Sequence, residues 1–228
     1  MMPVIRPAHN QLNFSVAKVM NETRFYQGLT WQDYLDQMTV NKRRILDVLH
    51  TIQPDESDIQ AARSAIAQHI SPISITILTE DWCGDAVVNV PVAVRFAEVI
   101  PNARLRLFIR SHNPDIEEAY ALEDIFSIPI VSFFDGEWRE IGRFVEHTPA
   151  ARDRKAAWMA PYPEAEAWRR SSDPELRKHW QRLLSKRLLA MIQWYKDGLW
   201  RATWYAFIQA LNASVPPSQH TIPKEGQQ

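Results

Sequence analysis

Residues 79–94 read TEDWCGDAVVNVPVAV and hold Cys83, the single cysteine of a 228-residue chain. A tryptophan precedes it, a glycine follows it, and an apolar run begins at Ala86. This is the setting of a C-x-x-C pair, but the fourth position is Ala86. The stretch is preceded by ISITILT (73–79), β-branched and almost wholly apolar, the pattern of a central buried strand. After Cys83 the period becomes helical through residue 100. A thiol therefore stands between a buried strand and a helix.

Working outward, RLRLFIR (104–110) reads as a second strand. NPDIEEAYAL (113–122) opens a helix with an Asn cap and Pro at the first helical position. PIVSFFD (129–135) is a third strand. Asp135-Gly136 signals a tight turn, and EWREIGRFV (137–145) returns as a fourth. The first two strands, joined through a helix, must be parallel, and the last two, joined by a short turn, antiparallel.

Upstream, residues 1–27 read as a weakly structured lead-in. Thr30 caps a helix with Asp33 three residues on. Two more helices fit 41–52 and 57–69. Beyond 146 the chain turns helical and rich in Arg and Trp; six of its nine Trp lie there, including Trp180, Trp194, Trp200 and Trp204. Asp173-Pro174-Glu175 is a helix start. Gly198 ends or kinks that helix, a further one fits 199–212, and the Pro-rich tail reads as disordered.

Composition excludes several classes. Hydrophobic residues make up 46 % and charged residues 23 %, globular values, and the net charge of −1 gives no bulk attraction to nucleic acid or anionic lipid. No run of 18 apolar residues predicts a membrane span, and the N-terminus lacks the apolar stretch of a signal peptide. A lone thiol forms no intrachain disulfide and suits a reducing cytoplasm. The seven His show no metal-ligand spacing, so no metal and no cofactor is expected. The C-terminal Trp and Arg are interleaved with acids and follow a helical stripe, which favours packing or a dimer face over nucleic acid.

Together the element order and the phrase WCGDA resemble the bacterial thioredoxin-like family whose members carry W-C-G-D-C after a helical lead-in. Pro91, eight residues past the cysteine, is similar to that family's helix-kinking proline, and Ile128-Pro129 to its cis-proline facing the thiol. Gly142 is similar to a glycine near its substrate groove. The resemblance covers about residues 25–147. It implies an α/β thioredoxin-like fold: a mixed four-stranded sheet of order 2-1-3-4 flanked by helices, with N- and C-terminal helical extensions. The expected organisation is 1–70 as a helical lead-in packed on the core, 71–148 as the core, and 149–228 as a Trp/Arg-rich helical extension with its tail.

The resemblance implies that Cys83 is the nucleophile and that Trp82, Gly84, Asp85, Ile128, Pro129 and Gly142 form the substrate groove. A helix N-terminus favours the thiolate, whereas Asp85 opposes it. With Ala86 where a resolving cysteine would stand, attack on a disulfide stalls at the mixed disulfide until an outside thiol arrives. The expectation is a thiol–disulfide oxidoreductase lacking its resolving cysteine, exchanging with protein or small-molecule thiols and disulfides, glutathione among them, as monomer or homodimer. The alternative is a non-catalytic thioredoxin-fold interaction module.

Overall fold

The computed structural model describes residues 15–213; the expected disorder of the C-terminal tail lies outside them. Strands β1 (Ser74–Thr79), β2 (Arg104–Ile109), β3 (Ile130–Phe134) and β4 (Glu140–Val145) form one sheet in the order β2-β1-β3-β4. β1 pairs parallel with β2 and antiparallel with β3, and β3 pairs antiparallel with β4. This is the expected mixed sheet. All six residues of β1 are buried, as its uninterrupted apolar pattern requires.

Side chains alternate across the sheet. Ile75, Ile77, Leu107, Val131, Phe133 and Phe144 enter the larger core, while Leu78, Phe108, Ile130 and Phe134 enter a second one on the opposite face. The larger core is organised by α6 (Gly84–Val99), which is apolar on every side and buried along most of its length, the pattern of an interior helix. Against it pack α4 (Lys42–Thr51) and α5 (Glu56–Ile66), while α3 (Trp31–Gln37) packs against β2. α3 begins at the Thr30–Asp33 capping box read from the sequence.

The second core corrects one expectation. Residues 15–27 are not weakly structured: α1 (Ser15–Val19) and α2 (Glu22–Tyr26) bury Val16, Met20 and Phe25 against α7 (Pro114–Ala121). Both helices have five residues, too few to display a 3.6-residue period; tertiary burial holds them. Asn113 precedes α7 as expected but makes no cap bond. Its side chain donates to the Ile109 carbonyl and accepts from Arg24.

The β3–β4 turn also differs in detail. Gly136 does not hold the left-handed residue; Trp138 does, at φ 61°. The Asp135 carboxylate organises the loop by accepting from the backbone N–H groups of Glu137 and Arg139. Gly136 is required instead by close approach, since a Cβ there would lie 2.7 Å from the Ser71 carbonyl oxygen.

After the sheet come α8 (Pro149–Met159), α9 (Ala165–Arg170), α10 (Pro174–Trp194), a wide turn over Tyr195–Leu199, and α11 (Trp200–Ala213). Gly198 turns the chain at φ 103°, a value that penalises any side chain. α11 packs on β4, α5 and α6. Phe207 meets Phe96, Phe133 and Phe144 edge-on, and the buried Trp204 indole donates to the Asp58 carbonyl. At the far side of the sheet Leu29 exchanges both backbone hydrogen bonds with Leu107, at 2.8 and 2.9 Å, strapping the outer edge of β2. Among the described residues no helix is long and apolar enough to cross a membrane.

Candidate functional site

β1 ends at Thr79, and four residues later Cys83 occupies the N-cap position of α6. The Ile128–Pro129 peptide is cis and closes the loop before β3. The two segments meet: the Cys83 thiol donates to the Ile128 carbonyl, Sγ to oxygen 3.4 Å. Trp82 stands beside them 59 % exposed, with the Arg110 guanidinium 5.8 Å from its ring centre. Gly84 lies beneath α10, where an added Cβ would be 3.6 Å from a Leu188 methyl. Ala86 is buried, its methyl group inside the larger core.

Cys83 is half-buried and touches both cores. Burial pushes its thiol up to about 11. The N–H groups of Ala86 and Asp85, at the start of α6, pull the other way, but the Asp85 and Glu146 carboxylates add to the rise. The expectation that the helix start yields a thiolate is therefore corrected: the helix N–H groups act as expected, and desolvation outweighs them.

Asp85 is part of a cluster that the sequence did not announce. Both its oxygens accept from the Lys155 ammonium of α8, at 2.9 and 3.0 Å. The Lys155 ammonium also lies 3.2 Å from His147 Nδ1 and 3.6 Å from Glu146. Glu146 is held near 2 by the His147 hydrogen bond first, and by the His147 and Lys155 charges, against its burial. Asp85, Glu146 and His147 each bring one ligand-type atom within 4.8 Å of the others. Lys155 already brings an ammonium to all three, so the arrangement reads as an ion-pair cluster.

The main chain of this cluster is fixed independently of its charges. Glu146 adopts a left-handed φ of 59°. Its N–H donates to the Pro129 carbonyl at 2.8 Å, and its own carbonyl accepts from Asn89 at 3.0 Å. Asn89, buried in α6, also donates to the Asp85 carbonyl and accepts from the hydroxyls of Tyr195 and Thr203. One amide thus joins the first turn of α6, the segment after β4, and the C-terminal helices, with its polar atoms partnered.

The structure brings together Trp82, Cys83, Gly84, Asp85, Ile128 and Pro129. It does not bring Gly142 to them. Gly142 pairs with Phe133, three positions along β4 from Val145, and lies under α11, where a Cβ would be 3.1 Å from the Ala210 carbonyl. A helix backbone crossing that close explains the glycine; a substrate groove does not. Glu146, His147, Lys155 and Asn89 were missed. Only their convergence in space marks them, because Asp85 and Lys155 stand 70 positions apart.

A family model described as thioredoxin matches residues 28–159, more than half of the chain. No curated protein matches. A solved structure of a protein of unknown function from Pseudomonas aeruginosa is similar to this chain. It shares 17 % identity, over 78 % of this chain and 98 % of that one, at a TM-score of 0.49. An HIV epitope-scaffold is similar at 17 % identity, over 76 % of this chain and 93 % of its own, with a TM-score of 0.47.

Proposed function

The chain belongs to the thioredoxin family, and on that premise we propose that it is a single-thiol exchanger. In this reading 71–148 is the exchange core, 1–70 and 149–228 pack upon it, and a reducing bacterial cytoplasm is its setting. The Cys83 thiolate attacks one sulfur of a protein or small-molecule disulfide, glutathione disulfide among them. A new S–S bond forms to Cys83, the partner's S–S bond breaks, and the departing thiolate takes a proton from water. No second cysteine follows, so the mixed disulfide waits for an outside thiol.

The observation that carries this reading is the juxtaposition of Cys83 Sγ with the Ile128 carbonyl at 3.4 Å, beside the exposed Trp82. It puts the one thiol where an extended chain lying along Ile128 would pass. A thiol pushed up to about 11 is a poor leaving group, so a disulfide formed on it persists. The test is incubation with glutathione disulfide at pH 8.5 and intact mass measurement. One glutathione should add to the protein, none to Cys83→Ser, and excess reduced glutathione should remove it. Ala86→Cys should release the adduct without outside thiol. No adduct after prolonged incubation would sink the proposal.

One observation favours a second reading. A thiol pushed up by burial is still less reactive than a free one, and that suits a groove that binds a partner without turnover. A folded protein whose Cys83 takes no glutathione, yet binds a partner equally well as Cys83→Ser, would decide for that interaction module.

A further inference from the structure

We infer that Lys155 is a positioning residue for the thiol of Cys83: from α8 it grips both oxygens of Asp85 and stands beside Glu146, so that the thiolate forms near two carboxylates and one ammonium rather than two bare carboxylates. The inference deepens the single-thiol reading and rests on it for its purpose.

The geometry leaves little freedom. Asp85 is two residues beyond Cys83 in the first turn of α6, and its backbone is pinned through Asn89. Glu146 is pinned at both ends of its peptide, to Pro129 and Asn89. Side-chain exposure is 13 % for Lys155 and 12 % for Asp85, so water screens the pair weakly. Both carboxylates sit on pinned backbone, and the cation that reaches the two of them comes from elsewhere in the chain. Lys155 is that cation.

The other groups facing Cys83 do not replace it. From α3 comes the Tyr34 hydroxyl, itself pushed up to about 12 by burial and therefore neutral. α10 contributes the apolar Leu188 above Gly84. Glu80 and Asp81, in the approach from β1, are engaged by the backbone N–H groups of Ser111 and Thr39. Arg110 lies over Trp82 and reaches the Phe126 carbonyl. His147 joins the cluster from the same connection as Glu146. Its Nδ1 can accept from Lys155 only while unprotonated, at 3.2 Å, and Glu146 lies at the same distance from that atom. Lys155 and Glu146 therefore compete for one nitrogen: bare, Nδ1 accepts from Lys155; carrying a proton, it donates to Glu146.

The experiment follows iodoacetamide labelling of Cys83 from pH 6 to 11 on the full chain. The thiolate sulfur forms a bond to carbon and iodide leaves, so no disulfide partner is required. Lys155→Met should label roughly tenfold more slowly than wild type at pH 8, the effect of an uncancelled like charge near the thiol. Lys155→Arg should stay close to wild type. Asp85→Asn, nearly isosteric, should label faster, and Asp85→Asn with Lys155→Met should return toward wild type. Coincident profiles for folded Lys155→Met and wild type would overturn the inference. If Lys155→Met does not fold, Asp85→Asn decides: unchanged or slower labelling overturns it equally. A shifted labelling profile in a protein that takes up no glutathione would sink the exchange reading and leave this inference standing.

Discussion

Two buried clusters in this molecule use the same ingredients, two carboxylates and one cation, and differ in what the cation is. On the α7 face of the sheet, Arg143 forks onto both oxygens of Glu140 and reaches Glu123 at 2.7 Å, beneath Tyr120 and Ser132. Burial pushes the Glu140 carboxyl up while Arg143 pulls it down. At the start of α6, Lys155 is shared by Asp85, Glu146 and His147. A guanidinium is a rigid planar fork that fixes its partners; an ammonium is a point charge on a flexible stem that divides among them. The Arg143 cluster locks a sheet face. The Lys155 cluster leaves an electrostatic balance adjustable beside a thiol.

Breaking the locked cluster should cost most. Arg143→Met takes the cation from the buried Glu140, and urea unfolding should show a loss of about 3–5 kcal/mol. Cys83 labelling in the folded protein should be unchanged. A labelling change would mean that the two clusters are coupled and the contrast fails.

Asn89→Leu should cost less, roughly 1–3 kcal/mol, because it removes the acceptor shared by the Tyr195 and Thr203 hydroxyls and the donor to the Asp85 and Glu146 carbonyls. Unlike Arg143→Met, it should also alter Cys83 labelling, since Asn89 fixes the backbones of both Asp85 and Glu146. Stability lost with labelling unchanged would show that the charges near the thiol do not depend on that anchor.

The third effect is smaller and depends on acid. Glu146 is lowered from 4.5 to about 2 in the folded chain, so its ionised form contributes stability above about pH 4.5. That contribution is lost as pH falls toward 2. The stability advantage of wild type over Glu146→Gln should shrink across this window in urea titrations. A constant difference would place the stabilisation outside the Lys155–His147 cluster.

The smallest effect lies in base. Cys83 is raised from 9.0 to about 11, so its protonated form contributes stability that is complete below pH 9 and lost as pH rises to 11. Cys83→Ser should lack that decline. An equal decline in both would mean that the thiol ionises as freely in the folded chain as in the unfolded one.

The sheet was legible because its signals are local. β1 is a single apolar run, Thr30 and Asp33 are three residues apart, and Cys83 and Pro129 sit at family spacing. The lead-in helices were not legible, since five residues carry no period. Gly142 was misassigned because nothing in β4 reveals that Ala210, 68 positions later, will bring a helix backbone across it. The Lys155 cluster was hidden for the same reason. Thr148-Pro149 marks a helix start, but which of its side chains faces α6 depends on how the whole chain folds.

The Leu29–Leu107 strap has a bearing on solubility. β2 ends the sheet on that side, and an end strand offers free N–H and C=O groups to any passing chain. Leu29 takes both groups of Leu107 for itself. The strap lies close because Gly28 has no side chain: a Cβ there would fall 2.6 Å from the Phe108 ring. Any larger residue at 28 would lift the strap and uncover a template for sheet extension between molecules, so that a mutation far from the thiol would appear first as turbidity.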